Sequence, residues 1–130
     1  MTLLEDIVSY LTELGLIQGD CVDTFRDFKP ETPDNIVSLH EYKGDPVSPY
    51  TSAVHRSIQV VVRNKSSMEA QALAIRLCQA FMAPDETLRI DFTPTRWGQV
   101  HIRQTPYKFL QDESDRVHYG FNLGITTTLE

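Results

Sequence analysis

Four histidines, His40, His55, His101 and His118, are the side chains of this 130-residue chain best suited to moving protons near neutral pH or to holding a metal. All four fall in or beside runs that read as strands. His101 and His118 take the polar phase of theirs, near Arg103 and Arg116, and His40 shares a phase with Ser38 and Tyr42. Two such imidazoles on paired strands could form an acid–base couple. A metal site asks for more. No His-x-x-x-His pair and no Cys-x-x-Cys occurs, and Cys21 and Cys78 are too far apart in sequence to support one. The cysteines read as two lone buried thiols, although one disulfide stays open. There is no P-loop, no dinucleotide glycine pattern and no Gly-x-Ser-x-Gly elbow. Gly120 and Gly124 lie within a strand, where they mark a twist or a close approach to the backbone. Asp112, Glu113 and Asp115 crowd one bend and read as a solvated turn. No catalytic residue, cofactor or metal ligand is assigned.

The chemistry that remains is recognition. Trp97, flanked by Arg96 and Gly98, combines two residue types common at interface hot spots, and its alternative is a partly buried aromatic at a hairpin edge. The stretch KGDPVSPYTSAVHR, residues 43–56, interrupts two good strand runs and is too long for a tight turn. Pro46 and Pro49 limit its freedom, and Val47 and Tyr50 give it apolar surface to bury on a partner.

Composition narrows the setting. Net charge is −6, from 12 basic against 18 acidic residues, with no basic run. Such a chain is poorly equipped to grip a phosphate backbone but is compatible with a surface that nucleic acid slides past. Apolar residues make up 41%, enough for a globular core rather than a disordered chain. The segment MTLLEDIVSYL carries Glu5 and Asp6 and no leading basic residue, which does not fit a secretory signal. No apolar run approaches the roughly 20 residues that span a bilayer, so no membrane partner is expected.

The elements that must position these residues follow from periodicity. Thr2 to Glu5 has capping-box form, and Leu4, Ile7, Val8, Leu11 and Leu14 recur at helical spacing before Gly15. Residues 16–34 read as an irregular crossing with one short strand around Cys21 to Phe25. Residues 36–42 read as a strand, and Ile58, Val60 and Val62 mark another. Ser66 to Glu69 predicts a second capped helix carrying Ala70, Leu73, Ala74, Leu77 and Phe81 on one face, stopped by Pro84. Leu88, Ile90 and Phe92, then Val100 and Ile102, then Val117 to Ile125 alternate as three further strands. The expected fold is α+β, two helices packed on a mostly antiparallel twisted sheet, in one domain over residues 1–130.

Three pieces in this order resemble a known family. They are NIVSLHEYKGDPVSPY, then SIQVVVRNKSSMEAQALAIRLCQAF, then FLQDESDRVHYGFNLGITTT. A strand ends Val-Arg-Asn-Lys and leads into an Ala-x-x-Leu-Ala-x-x-Leu helix; an Asp-x-x-x-Arg turn precedes an aromatic Phe-Asn-Leu-x-Ile-Thr-Thr strand. Over residues 35–128 the chain is similar to the minor capsid and tail terminator proteins of tailed bacteriophages. The resemblance implies a tail-terminator-like fold and a ring-forming subunit, typically a hexamer, at the head–tail junction of the virion. Such a ring, assembled in the host bacterial cytoplasm, docks on the tail tube, stops its growth and presents a surface to the head connector. DNA only passes through its lumen, and no catalysis is expected. Asp45, Pro46, Val47, Pro49 and Tyr50 become candidates for an assembly arm, together with Arg96 and Trp97. The arm has two competitors: a loop without contacts in the free subunit, and part of a ligand site. A neck or head-completion protein is the nearest alternative function. A small cytosolic α+β enzyme or ligand-binding domain using His101 and His118 is the more distant one.

Overall fold

The computed structural model describes residues 2–42, 53–82 and 88–128. Helix α1 (Leu3–Glu13) begins at Thr2, whose hydroxyl oxygen accepts from the Glu5 N–H at 3.2 Å while the Glu5 carboxylate accepts from Thr2 in return. It ends at Leu14 and Gly15, the latter in the left-handed region that glycine adopts without strain. Helix α2 (Ser67–Ala80) is capped by the Ser66 hydroxyl and closes at Phe81. Pro84, expected as its stop, lies outside the described residues. Both apolar stripes are buried as the spacing predicts: Leu3, Leu4, Ile7, Val8 and Leu11 on α1, and Ala70, Ala74, Leu77 and Cys78 on α2.

The strands are β1 (Thr24–Arg26), β2 (Ile36–Tyr42), β3 (Ala53–Asn64), β4 (Arg89–Thr93), β5 (Arg96–Gln111) and β6 (Val117–Thr128). They form one six-stranded sheet in the order β1-β2-β3-β6-β5-β4. Only β1 and β2 run parallel. Central β3 and β6 pair along their whole lengths, so Val60 faces Phe121 and Ile58 faces Leu123. Those residues share the phase that meets both helices, and they form one core with Leu77, Phe81, Val37 and Leu39. Each fully buried Phe or Leu there contributes on the order of 1.5–3 kcal/mol. Tyr10 ties the helices together: its hydroxyl donates to the Ala80 carbonyl at 2.6 Å and its ring meets Phe92 edge-on. The fold is α+β, as the sequence predicts.

Two segments depart from expectation. The short strand near residue 25 forms at Thr24–Arg26 and adds to the sheet in parallel rather than beginning at Cys21, which sits at positive φ. The strand recognised by Val100 and Ile102 continues through Pro106 to Gln111. Three register shifts against β6, between Ile102 and Leu110, put extra residues into β5 and destroy the strict alternation that marks a strand in sequence.

Candidate functional site

All four histidines fall on strand positions of the sheet face opposite the helices, by the pairing of His40 with Gln59, His55 with Thr126, His101 with Gly124 and His118 with Arg63. They do not make one site. His101 is opposite residue 124 of β6 whereas His118 lies six residues earlier on that strand, a separation of roughly 20 Å at about 3.3 Å per residue. The His101–His118 couple of the enzyme alternative is therefore corrected by register. His40 bonds Ser38 at 2.9 Å and His55 bonds Thr126 at 2.7 Å.

His118 is buried in a polar cluster instead. Its Nε2 lies 3.0 Å from Oδ2 of Asp112, the same oxygen that accepts from Arg116 Nε at 2.9 Å. The Ser114 and Arg116 N–H groups donate to the other Asp112 oxygen. These bonds, that from His118 foremost, hold the Asp112 carboxyl well below the usual carboxylate range. Burial pulls His118 below its ordinary 6.5, against the bond to Asp112, with Lys29 and Arg63 acting in the same downward direction. Burial thus favours the neutral ring, and the Asp112 carboxylate, which can only accept, favours the tautomer with the proton on Nε2. Nδ1 has no hydrogen-bond partner among the described residues. The acidic bend read as a solvated turn is, at Asp112, a clamp that anchors the start of β6. The signal was present as Asp112 and Arg116 four apart with His118 two further on.

The same cluster explains the crossing over residues 16–34. Arg63 donates to the carbonyls of Pro30, Pro33 and Asp34, and Arg116 donates to the carbonyl of Glu31 at 2.7 Å. Lys65 N–H reaches the Asn35 side chain, and Asn64 Oδ1 accepts from Ser66. The Arg-Asn-Lys turn therefore straps the crossing onto the sheet. The close approaches expected at the strand glycines also occur: a Cβ at Gly120 would lie 2.9 Å from the Phe109 ring, and one at Gly124 would lie 2.7 Å from the Arg103 guanidinium.

Arg96 and Trp97, neighbours in β5, point to opposite faces. Arg96 turns into the helix layer, where Nε meets Asp6 Oδ2 at 2.5 Å with both side chains under a tenth exposed. Asp6 follows the phase of Leu3 and Ile7 on α1, and a carboxylate within an apolar stripe was the sequence sign that a buried cation would meet it. Trp97 is 48% exposed on the other face, with the Arg89 guanidinium 4.8 Å from its ring centre. Beside it lies a cleft of about 110 Å³ lined by Ala53, Thr126, Thr127 and Thr128. Ala53 closely follows Asp45, Pro46, Val47, Pro49 and Tyr50 in the chain; those five candidates lie outside the described residues. Cys78 is buried and Cys21 is exposed, so the expectation of two buried thiols holds for one of them.

The feature least legible in the sequence is the outer edge of β5. β4 covers only its first residues, from Arg96 to Gln99, and Val100 donates to the Leu88 carbonyl. Beyond that point no described strand pairs this edge, and Tyr107, Phe109 and Leu110 are 38%, 37% and 44% exposed. Tyr107 and Phe109 meet at a tilt, their ring centres 5.9 Å apart, and Lys29 lies over the Phe109 ring. Among the described residues no group of three metal-ligating side chains converges, and no helix is long and apolar enough to cross a membrane.

Residues 10–129 match the family model of the bacteriophage tail terminator protein. No curated protein sequence matches the chain.

Proposed function

The chain belongs to the bacteriophage tail terminator protein family, and from that premise we propose that it forms a ring, a hexamer in the simplest case, on the end of the tail tube. It is a structural protein of the phage tail. The ring stops addition of tube subunits and offers its free face to the head connector. DNA passes through its lumen, and its place is the head–tail junction of virions assembled in the host cytoplasm.

The family match over nearly the whole chain carries this reading. The surface chemistry supports it. The histidine face holds separated side chains bonded to their neighbours, whereas exposed aromatic surface collects along one sheet edge and at Trp97. Exposed aromatics at a strand edge serve contacts between proteins. Across the outward positions of β2, β3 and β6, and of β5 as far as Arg103, no carboxylate occurs; among the described residues the acidic side chains other than Glu41 of β2 and Asp91 of β4 lie on helices, loops and turns.

Light scattering of the purified protein, alone and with tail tubes, tests the proposal. Binding to tube ends with arrest of elongation is the expected result. A strict monomer that caps neither tubes nor itself at any concentration overturns it, whereas a monomer that assembles only on the tube does not. Labelled electron microscopy showing the protein on the head side alone would reassign it to the neck.

A further inference from the structure

The sheet has two unlike margins that complement each other. On one, no described strand pairs β5 from Arg103 to Gln111, roughly 30 Å at about 3.3 Å per residue. It exposes Tyr107, Phe109 and Leu110, with Lys108 among them and no carboxylate between Phe92 and Gln111; Arg103 instead reaches inward across β6 to the Ser57 hydroxyl at 2.6 Å. On the other margin, β1 is three residues long and its flanks expose Val22 (56%) and Phe28 (53%). Asp23 there accepts from the N–H groups of Gln18 and Gly19, and Asp27 accepts from that of Glu41. Their hydrogen bonds are thus made to neutral donors, and the negative charge stays available to an approaching cation.

An open edge invites uncontrolled strand addition. Three bulges and Pro106 prevent a continuous ladder here, because each interrupts the outward row of donors and acceptors. What the edge can accept is a side-chain contact, apolar at its centre and basic at its rim. The β1 margin of the same chain offers the matching surface, apolar at its centre, with Asp23 and Asp27 at its rim beside Arg26, which Asp20 and Glu5 already pair, and Lys29, which lies over the Phe109 ring of its own chain. Two different patches that fit each other make a head-to-tail contact, and such a contact closes into a ring when the rotation per subunit divides the circle.

We propose that the outer edge of β5 on one copy, centred on Tyr107, Phe109 and Leu110, packs against the β1 margin of the next copy, centred on Val22 and Phe28. Lys108 faces Asp23 and Asp27 across that contact. The proposal rests on the ring reading and names the surface that builds the ring.

Cross-linking the assembled protein on tail tubes tests it, because Cys21 is exposed beside Val22 and Cys78 is buried. In a Lys108→Cys variant a short bismaleimide is expected to join the introduced thiol to Cys21 of a neighbouring copy, giving a ladder of covalent multimers mapped to those two positions. Adding Cys21→Ser should abolish the ladder. Leu110→Glu, at an exposed site that leaves the core intact, should weaken self-association about tenfold or more, equivalent to about 1.4 kcal/mol or more, with an unchanged thermal melt. If the wild-type chain multimerises but the introduced thiol maps elsewhere, or Leu110→Glu assembles normally, the edge assignment is overturned and the ring reading stands. If the wild-type chain never multimerises, alone or on tubes, both fall.

Discussion

Among the described residues, charged and titratable side chains are buried at the Asp6–Arg96 pair and in the cluster of Asp112, Arg116, His118 and Arg63, and the bonds they make position the elements that carry them. Arg96 joins the start of β5 to α1 across ninety residues of sequence. Removing one partner leaves the other charged and buried, so Asp6→Ala should cost about 3–5 kcal/mol in urea unfolding. The double variant Asp6→Leu/Arg96→Met should recover much of that loss. The histidines set the pH dependence. His118 and His40 both have folded pKa values depressed below the ordinary 6.5, chiefly by burial. The unfolded chain therefore binds protons that the folded chain resists, and stability falls as pH drops below about 6.5. Asp112, depressed in its turn, adds a second loss below its ordinary 3.8. Urea midpoints should thus decrease from pH 7.5 to 5.5, and His118→Gln should flatten that slope; a midpoint independent of pH across this window would contradict the account.

At the scale of elements, glycines separate the two faces of the sheet. A Cβ at Gly98 would meet Ile125 Cγ2 at 2.7 Å and Phe92 at 3.1 Å, both held in the core. At Gly120 the closest obstruction is the ring of Phe109, which is 37% exposed and so less confined than a core side chain, with the Val60 carbonyl next at 3.3 Å. Gly98→Ala should therefore destabilise by about 1–3 kcal/mol, and Gly120→Ala by less, in thermal or urea melts. The same contrast explains why β5 was only half readable. Val100 and Ile102 sit opposite Ile125 and Leu123 and alternate cleanly because one face is buried there. From Gln104 onward neither face is buried deeply, bulges shift the phase, and no periodic signal survives.

For the molecule as a whole, the assembly candidates concentrate toward three regions: Trp97 with the cleft beside Ala53, the outer β5 edge, and the β1 margin around Val22 and Phe28. Trp97→Ala removes an exposed ring that no core residue depends on. It should leave the melt within about 0.5 kcal/mol while weakening tube capping, read by light scattering. Shortening residues 45–53, where Asp45, Pro46, Val47, Pro49 and Tyr50 lie, should likewise spare folding and impair capping. Normal capping by a folded deletion variant would remove that segment from the interface.

The sequence alone determined the helices with their caps, the strand phases of β2, β3 and β6, and the family resemblance that the match to the tail terminator model bears out. These depend on periodicity, capping spacing and local order, which a linear chain displays directly. Only the tertiary structure decided the rest. Register parted His101 from His118, the crossing of residues 16–34 found its anchors in Arg63 and Arg116, and Arg96 went inward to Asp6 while Trp97 went outward. The open edge of β5 emerged because β4 is too short to cover it. Each of these outcomes joins residues distant in sequence, and pairing across a sheet is chosen by the packing of the whole core rather than by neighbours along the chain.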